Sequence, residues 1–197
     1  QWALLQKFHN AGFIIANHTY SHLNLNATSA NHYISNIERA DKTLAPLMPG
    51  QKYFRYPYLA EGRGERKQQV INYLSSKGYI IAPVTIDSKD FRFNQRLFAV
   101  RYSQRKYYLP RIKRSYLNFL WRQTVRADRR ANKRSDKPIK HILLLHANLL
   151  NSHLIGEIID FYRAKGYTFI SLDEALKNYN QSMGRQEQLT NYDEISH

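Results

Sequence analysis

Three times along this chain a helix-like segment runs into glycine, then an aromatic residue, then a β-branched run. The instances are Ala11-Gly12-Phe13-Ile14-Ile15, Lys77-Gly78-Tyr79-Ile80-Ile81 and Lys165-Gly166-Tyr167-Thr168-Phe169-Ile170. Glycine just past a helix takes the left-handed conformation that stops it, and a β-branched run suits a buried strand. The punctuation therefore predicts strands at 13–16, from Tyr79 to Ile86 and at 167–170. Two more are expected at Lys52–Tyr56 and His141–His146. Helical patterns fill the intervals at Ser29–Leu47, Arg63–Lys77, Asn94–Ala131, Leu150–Lys165 and Leu172–Tyr179. Such alternation dictates an α/β fold with a parallel sheet, open or closed into a barrel.

At 197 residues the chain is expected to form one domain with an insertion. Apolar residues make up 43% and aromatic residues 13%, which excludes a disordered chain. No apolar run approaches the length of a membrane span. Zero cysteines exclude disulfides and thiolate metal sites, so any metal must use histidine and carboxylate. Gln1–Phe8 reads as the interior of an amphipathic helix rather than a leader peptide, and a truncated or processed start is expected.

The net charge of +15 is concentrated. Residues 92–140 carry 16 of the 30 Lys and Arg, against only Asp128 and Asp136. The block 92–137 is too long for one strand–helix connection and reads as an inserted basic helical segment, with Pro110 expected to break or kink it. It suits anionic partners such as nucleic acid, anionic lipid or an acidic polymer; a solvated basic helix explains it equally well. The polar tail 181–197 has no apolar periodicity.

Chemistry collects where the predicted strands end. After the first comes Asn17-His18-Thr19-Tyr20-Ser21-His22, whose imidazoles, four apart on a helical turn, can share one metal ion. After the second comes Phe54-Arg55-Tyr56-Pro57-Tyr58, after the third Asp87-Ser88-Lys89-Asp90-Phe91, and after the fourth His146-Ala147-Asn148. Singly, each has a plain structural explanation: loop histidines, a turn, a helix cap, a core histidine. Four polar clusters at one sheet edge are the arrangement of an active-site rim.

These segments resemble the polysaccharide deacetylases of carbohydrate esterase family 4. His18-Thr19-Tyr20-Ser21-His22 is similar to the family's His-(Ser/Thr)-x-x-His, and Arg55-Tyr56-Pro57-Tyr58 to its Arg-x-Pro-Tyr. Asp87-Ser88-Lys89-Asp90-Phe91 is similar to its Asp-x-x-Asp-Trp, with Phe91 in the Trp place, and Leu144-Leu145-His146 to its Leu-x-His. The resemblance runs over about residues 1–180 in the family's order. It implies a distorted (β/α) barrel and a metal-dependent hydrolase removing N- or O-acetyl groups from a polysaccharide or oligosaccharide. His18 and His22 would bind a divalent ion such as Zn²⁺, and the Tyr58 backbone N–H would help hold the oxyanion. Arg55 would orient the base. His146 would protonate the leaving nitrogen, with Asp90 favouring its imidazolium. Phe91, Leu144 and Pro57 would shape the acetyl pocket.

One departure stands out. The family's Thr-Phe-Asp-Asp motif, source of its base and third metal ligand, has no counterpart in these residues. The barrel is therefore expected to be N-terminally incomplete and the chain inactive alone. An inactive carbohydrate-binding relative and a nucleic-acid or polyanion module using 92–137 stand as alternatives. The resemblance favours an extracytoplasmic location.

Overall fold

The glycine punctuation is realised in the backbone. Gly12, Gly78 and Gly166 have φ of +83°, +72° and +84°. A Cβ at any of them would meet no atom within 4 Å, so the requirement for glycine is conformational rather than steric. At two of the three the aromatic residue completes a Schellman cap. Phe13 N–H donates to Phe8 C=O (3.0 Å) and Tyr167 N–H to Tyr162 C=O (3.0 Å). The paired rings then pack edge-on, with centroids 5.5 Å apart for Phe8–Phe13 and 5.6 Å for Tyr162–Tyr167. Glycine stops the helix and the aromatic residue seals its last turn.

The computed structural model describes residues 2–133 and 140–177. They form two compact units, Gln1–Pro83 and Val84–His197. The first holds α1 (Trp2–Asn10), α2 (Ala30–Leu44), β1 (Lys52–Phe54), α3 (Gly64–Ser76) and β2 (Tyr79–Ile81). β1 and β2 pair in parallel, Lys52 opposite Tyr79, and Asn17 forms a parallel bridge to Phe54. Leu25, Tyr33 and Ile37 pack with Phe54, Tyr56, Val70, Leu74 and Tyr79 as its core.

The second unit holds β3 (Ile86–Asp87), α4 (Asp90–Phe98), α5 (Arg105–Asn132), β4 (Leu143–Leu144) and α6 (Leu149–Ala164). β3 and β4 pair in parallel, Asp87 opposite Leu144. Phe93 and Leu97 of α4, Tyr116 and Leu120 of α5, and Leu150, Leu154, Ile158 and Tyr162 of α6 make its core. The basic segment is thus helical: α4 and α5 turn an apolar stripe to this core and their Arg and Lys outward. Residues 172–177 are helical as well. The tail 181–197, the segment 134–139 and the end of the last expected helix lie outside the described residues.

The strands depart from expectation. Residues 13–16 form no ladder; Phe13 and Ile14 are exposed and only Ile15 is buried. Residues 167–170 are likewise extended coil. A strand exists only by virtue of its neighbours, and neither segment has a ladder partner among the described residues. The expected strand from Tyr79 to Ile86 is two short strands in different sheets, separated at Pro83, which has no N–H to donate to a ladder. The expected helix Asn94–Ala131 is two, interrupted at residues 99–104, while α5 runs through Pro110. Pro110 is solvent-exposed near the start of α5, so it removes a single hydrogen bond close to an end that lacks them anyway.

Candidate active site

The histidine loop is built on two buried asparagines. Asn17 donates from Nδ2 to Ile37 C=O (3.0 Å) and Tyr79 Oη (3.1 Å), while its Oδ1 accepts from Thr19 N–H (2.9 Å). Its backbone bonds to Tyr53 and Arg55 on either side of Phe54. From α2, Asn36 accepts from Ser21 N–H (2.9 Å) and donates to Ser21 Oγ (3.3 Å). The loop between the imidazoles is therefore pinned from below and from the side.

That pinning sets the imidazoles. His18 Nδ1 lies 2.7 Å from Arg55 C=O, and because a carbonyl only accepts, Nδ1 carries the proton and donates. Nε2 then keeps the lone pair, the tautomer a metal-binding imidazole needs, with its other nitrogen oriented by a backbone carbonyl. The His22 ring lies 5.0 Å from that of His18 and 4.5 Å from that of exposed Tyr58. Pro57 is buried in the turn that carries Tyr58. Arg55 donates Nε–H to Ala82 C=O (3.3 Å), and burial pushes its pKa below the usual guanidinium value. Two imidazoles thus fit as two ligands of a divalent ion. No cluster of three His, Cys, Asp or Glu exists among the described residues, so the protein ligand set there stops at two.

The second group sits between β4 and α6. Asp90, in the first turn of α4, is fully buried and accepts four hydrogen bonds. Its Oδ1 accepts from His146 Nδ1 (2.6 Å), and its Oδ2 from His146 N–H (2.6 Å), Asn148 Nδ2 (3.2 Å) and Asn151 Nδ2 (2.6 Å). Asn151 also donates to His146 C=O (2.8 Å), and its Oδ1 accepts from Tyr116 Oη (3.4 Å). The Asn148 side chain caps α6 by accepting from Asn151 N–H (2.9 Å). With Nδ1 committed to the carboxylate, His146 presents Nε2 from a side chain that is 51% exposed. Phe91 is exposed beside Asp90, and Leu144 is half-buried in β4.

The structure therefore gathers the nine sequence-predicted residues into two groups: His18, His22, Arg55, Pro57 and Tyr58 in the first unit, and Asp90, Phe91, Leu144 and His146 in the second. Sequence reasoning missed Asn36 and Asn151. The signal for Asn151 was present, since asparagines three apart directly after a strand-ending His read as a helix start. Nothing local marks Asn36.

Backbone conformation singles out the same segments. Five non-glycine residues among those described have positive φ: Thr19 (61°), His22 (54°), Tyr58 (58°), Leu59 (54°) and Lys89 (48°). Four lie inside the quoted motifs, and Leu59 directly follows one. Each costs about 1–2 kcal/mol, and for β-branched Thr19 the conformation is a genuine outlier. Such strain gathers at functional sites, where the surroundings over-determine it.

Residues 1–82 match the family described as polysaccharide deacetylase. The match covers less than half of the chain; over the rest the likeness is one of fold, the (β/α) barrel of solved carbohydrate esterase family 4 structures, shared in part. Among solved structures it is similar to a family 4 pseudoenzyme from Bacillus anthracis, at 14% identity and TM-score 0.56, covering 84% of this chain and 47% of that one. A mutant of that pseudoenzyme has restored enzymatic activity. It is also similar to the chitin deacetylase of Colletotrichum lindemuthianum (22% identity, TM-score 0.58, 88% of this chain and 66% of that one). A family 4 carbohydrate esterase from Streptomyces lividans is a third (18%, TM-score 0.54, 87% and 72%). The chain spans about half the length of the pseudoenzyme. No sequence among the curated proteins matches it.

Proposed function

We propose that this protein is a metal-dependent deacetylase of an acetylated polysaccharide or oligosaccharide, acting outside the cytoplasm, and that residues 1–197 alone do not complete the reaction. The observation that carries the reading is the Asp90–His146 pair: a half-exposed imidazole whose Nδ1 is held at 2.6 Å by a buried carboxylate. Hydrolysis of an acetamide needs a proton for the leaving nitrogen, and an imidazole so held can deliver it from Nε2 while the carboxylate stabilises the cation. His18 and His22 would hold a divalent ion, which when bound supplies Lewis acidity toward the acetyl carbonyl. The Tyr58 N–H, in its left-handed turn, would donate to the developing oxyanion, and Arg55 would orient the base. Phe91, Leu144 and Pro57 would bound the acetyl methyl.

The assay is acetate release from an N-acetylglucosamine oligomer, with and without added Zn²⁺. Residues 1–197 are expected to stay at background, since two imidazoles lack an anionic co-ligand and a base. Adding a Thr-Phe-Asp-Asp strand ahead of Gln1 is expected to give chelator-sensitive turnover. Turnover by residues 1–197 alone would refute the incompleteness; none after the addition would refute the deacetylase reading. The two-ligand set also favours a second reading, a carbohydrate-binding relative without turnover. That reading requires oligomer binding by residues 1–197, and its absence would remove it.

A further inference from the structure

Residues 91–127 carry ten Lys and Arg and no acid. Where α4 hands over to α5, this cationic stretch also carries exposed aromatic rings. Tyr102 is 86% exposed, Tyr107 72% and Phe98 56%, with Tyr108 about half exposed. The elbow is held in one shape by Arg105. Its Nε–H donates to Val100 C=O (3.2 Å), and its guanidinium lies 5.1 Å from the Phe98 ring centre and 5.6 Å from that of Tyr102. Lys106 sits over the Tyr107 ring at 4.9 Å. Beside the elbow, Arg96 and Arg111 line a cleft of about 210 Å³ with Val100, Tyr108, Ile112 and Ser115. Among the described residues no carboxylate pairs with Arg96, Arg101, Arg105, Lys106 or Arg111.

We propose that this elbow docks the protein onto an anionic lipid bilayer, the rings of Phe98, Tyr102 and Tyr107 entering the headgroup layer and the surrounding cations meeting lipid phosphates. Charge complementarity selects an anionic surface. The rings select an interface with an apolar side, because Tyr and Phe gain little from a purely aqueous polyanion but settle where headgroups meet acyl chains. The arrangement fits single-stranded nucleic acid less well, since stacking platforms line a groove that tracks a backbone, whereas these rings stand on the tip of a helical elbow. The Arg96–Arg111 cleft, cationic at its rim with Val100 and Ile112 in its lining, suits a phosphodiester carrying an apolar chain. No helix among the described residues is long and apolar enough to cross a membrane, so attachment through this elbow is peripheral.

Vesicle co-sedimentation of the 197-residue chain tests this, using neutral phosphatidylcholine vesicles and vesicles with added phosphatidylglycerol. Binding is expected only to the anionic vesicles and is expected to weaken with salt. Arg101→Gln with Lys106→Gln should weaken partition roughly 25-fold, at about fivefold per charge near an anionic surface. Tyr102→Ala with Tyr107→Ala should weaken it by about tenfold with the net charge unchanged. Tyr107→Trp should show a fluorescence blue shift on binding and quenching by brominated lipid. All these side chains are mostly exposed, so unchanged melting curves would show that the fold is retained. Equal binding to neutral vesicles, no binding to anionic ones, or aromatic variants that bind as well as the parent would overturn the proposal. So would a single-stranded oligonucleotide that displaces the vesicles and loses affinity in the same variants.

Discussion

The two groups of site residues use similar side chains and are held in opposite ways. In the first unit the imidazoles of His18 and His22 are exposed, and what fixes them is backbone: buried asparagines beneath the loop, a carbonyl on His18, and left-handed conformations at Thr19, His22 and Tyr58. In the second unit the fixing element is one buried carboxylate, Asp90, saturated by four donors from His146, Asn148 and Asn151. The first arrangement stores strain in its backbone and leaves His18 Nε2 as the nitrogen that carries the lone pair. The second is complete within itself. Every partner of Asp90 other than the His146 ring is an amide N–H.

The sharpest way to break this contrast is to remove one anchor from each side. Asp90→Ala would strand the Asn151 amide and the His146 N–H groups without their acceptor, and is expected to lower unfolding free energy by about 3–5 kcal/mol. His18→Ala removes an exposed ring and is expected to cost no more than about 0.5 kcal/mol while abolishing Zn²⁺ binding. Urea denaturation with a Zn²⁺ titration reads both. Equal stability losses would show that the two groups are held alike.

A finer cut goes through Asn151. Asn151→Ala removes donors to Asp90 and to His146 C=O and should cost about 1–3 kcal/mol. Asn151→Asp should be worse than alanine, because it places a second carboxylate against Asp90. A milder effect for aspartate would show that Asn151 acts only through its shape.

How much of this was readable beforehand depends on range. Glycine stops were legible because a Schellman cap is complete within six residues, and the motif residues because their chemistry is local. Strand extents were not, since Phe13–Ala16 has the composition of a strand but lacks a ladder partner among the described residues. Pro83 divides Tyr79–Ile86 because it has no N–H to give a ladder, whereas Pro110, near a helix start, leaves its helix unbroken. Asn36 was invisible because its role comes from α2 reaching a loop fifteen residues earlier. The Asn148–Asn151 pair was legible as a cap, but not as the cradle of Asp90.

Alkaline pH should strain both units through their tyrosines. Burial raises the pKa of Tyr33, Tyr56 and Tyr79 in the first unit and of Tyr116, Tyr162 and Tyr167 in the second, and Tyr73 is pushed up to about 12 by burial and by Glu38. A phenol whose folded pKa exceeds its unfolded value near 10 stabilises the fold fully below about pH 10, and loses that contribution as pH rises through the folded value. Each such tyrosine should cost up to about 1.4 kcal/mol per pH unit above 10. Tyrosinate absorbance should therefore rise together with the loss of helical circular dichroism. Full ionisation with circular dichroism unchanged would show that these hydroxyls reach solvent in the folded state.

The smallest effect is expected where the first unit leaves polar atoms unsatisfied. Among the described residues, the hydroxyls of Tyr33 and Tyr56 are buried with no hydrogen-bond partner, whereas the buried tyrosines of the second unit are paired, Tyr116 with Asn151 and Tyr162 with Thr124, as is half-buried Tyr167 with Asp128. Tyr33→Phe keeps the ring, which lies 6.4 Å from Phe54 and stacks at 6.3 Å on Tyr56, and removes only an orphaned donor. It should leave stability within about 0.5 kcal/mol or raise it, because an unsatisfied buried hydroxyl opposes folding. Tyr162→Phe in the second unit makes the same chemical change but takes a 2.8 Å hydrogen bond from Thr124, and should cost about 1 kcal/mol. Thermal melts of the two variants give the comparison directly. If Tyr33→Phe proves the more costly of the two, its hydroxyl has a partner in solution, and the contrast between the units rests on Tyr56 alone.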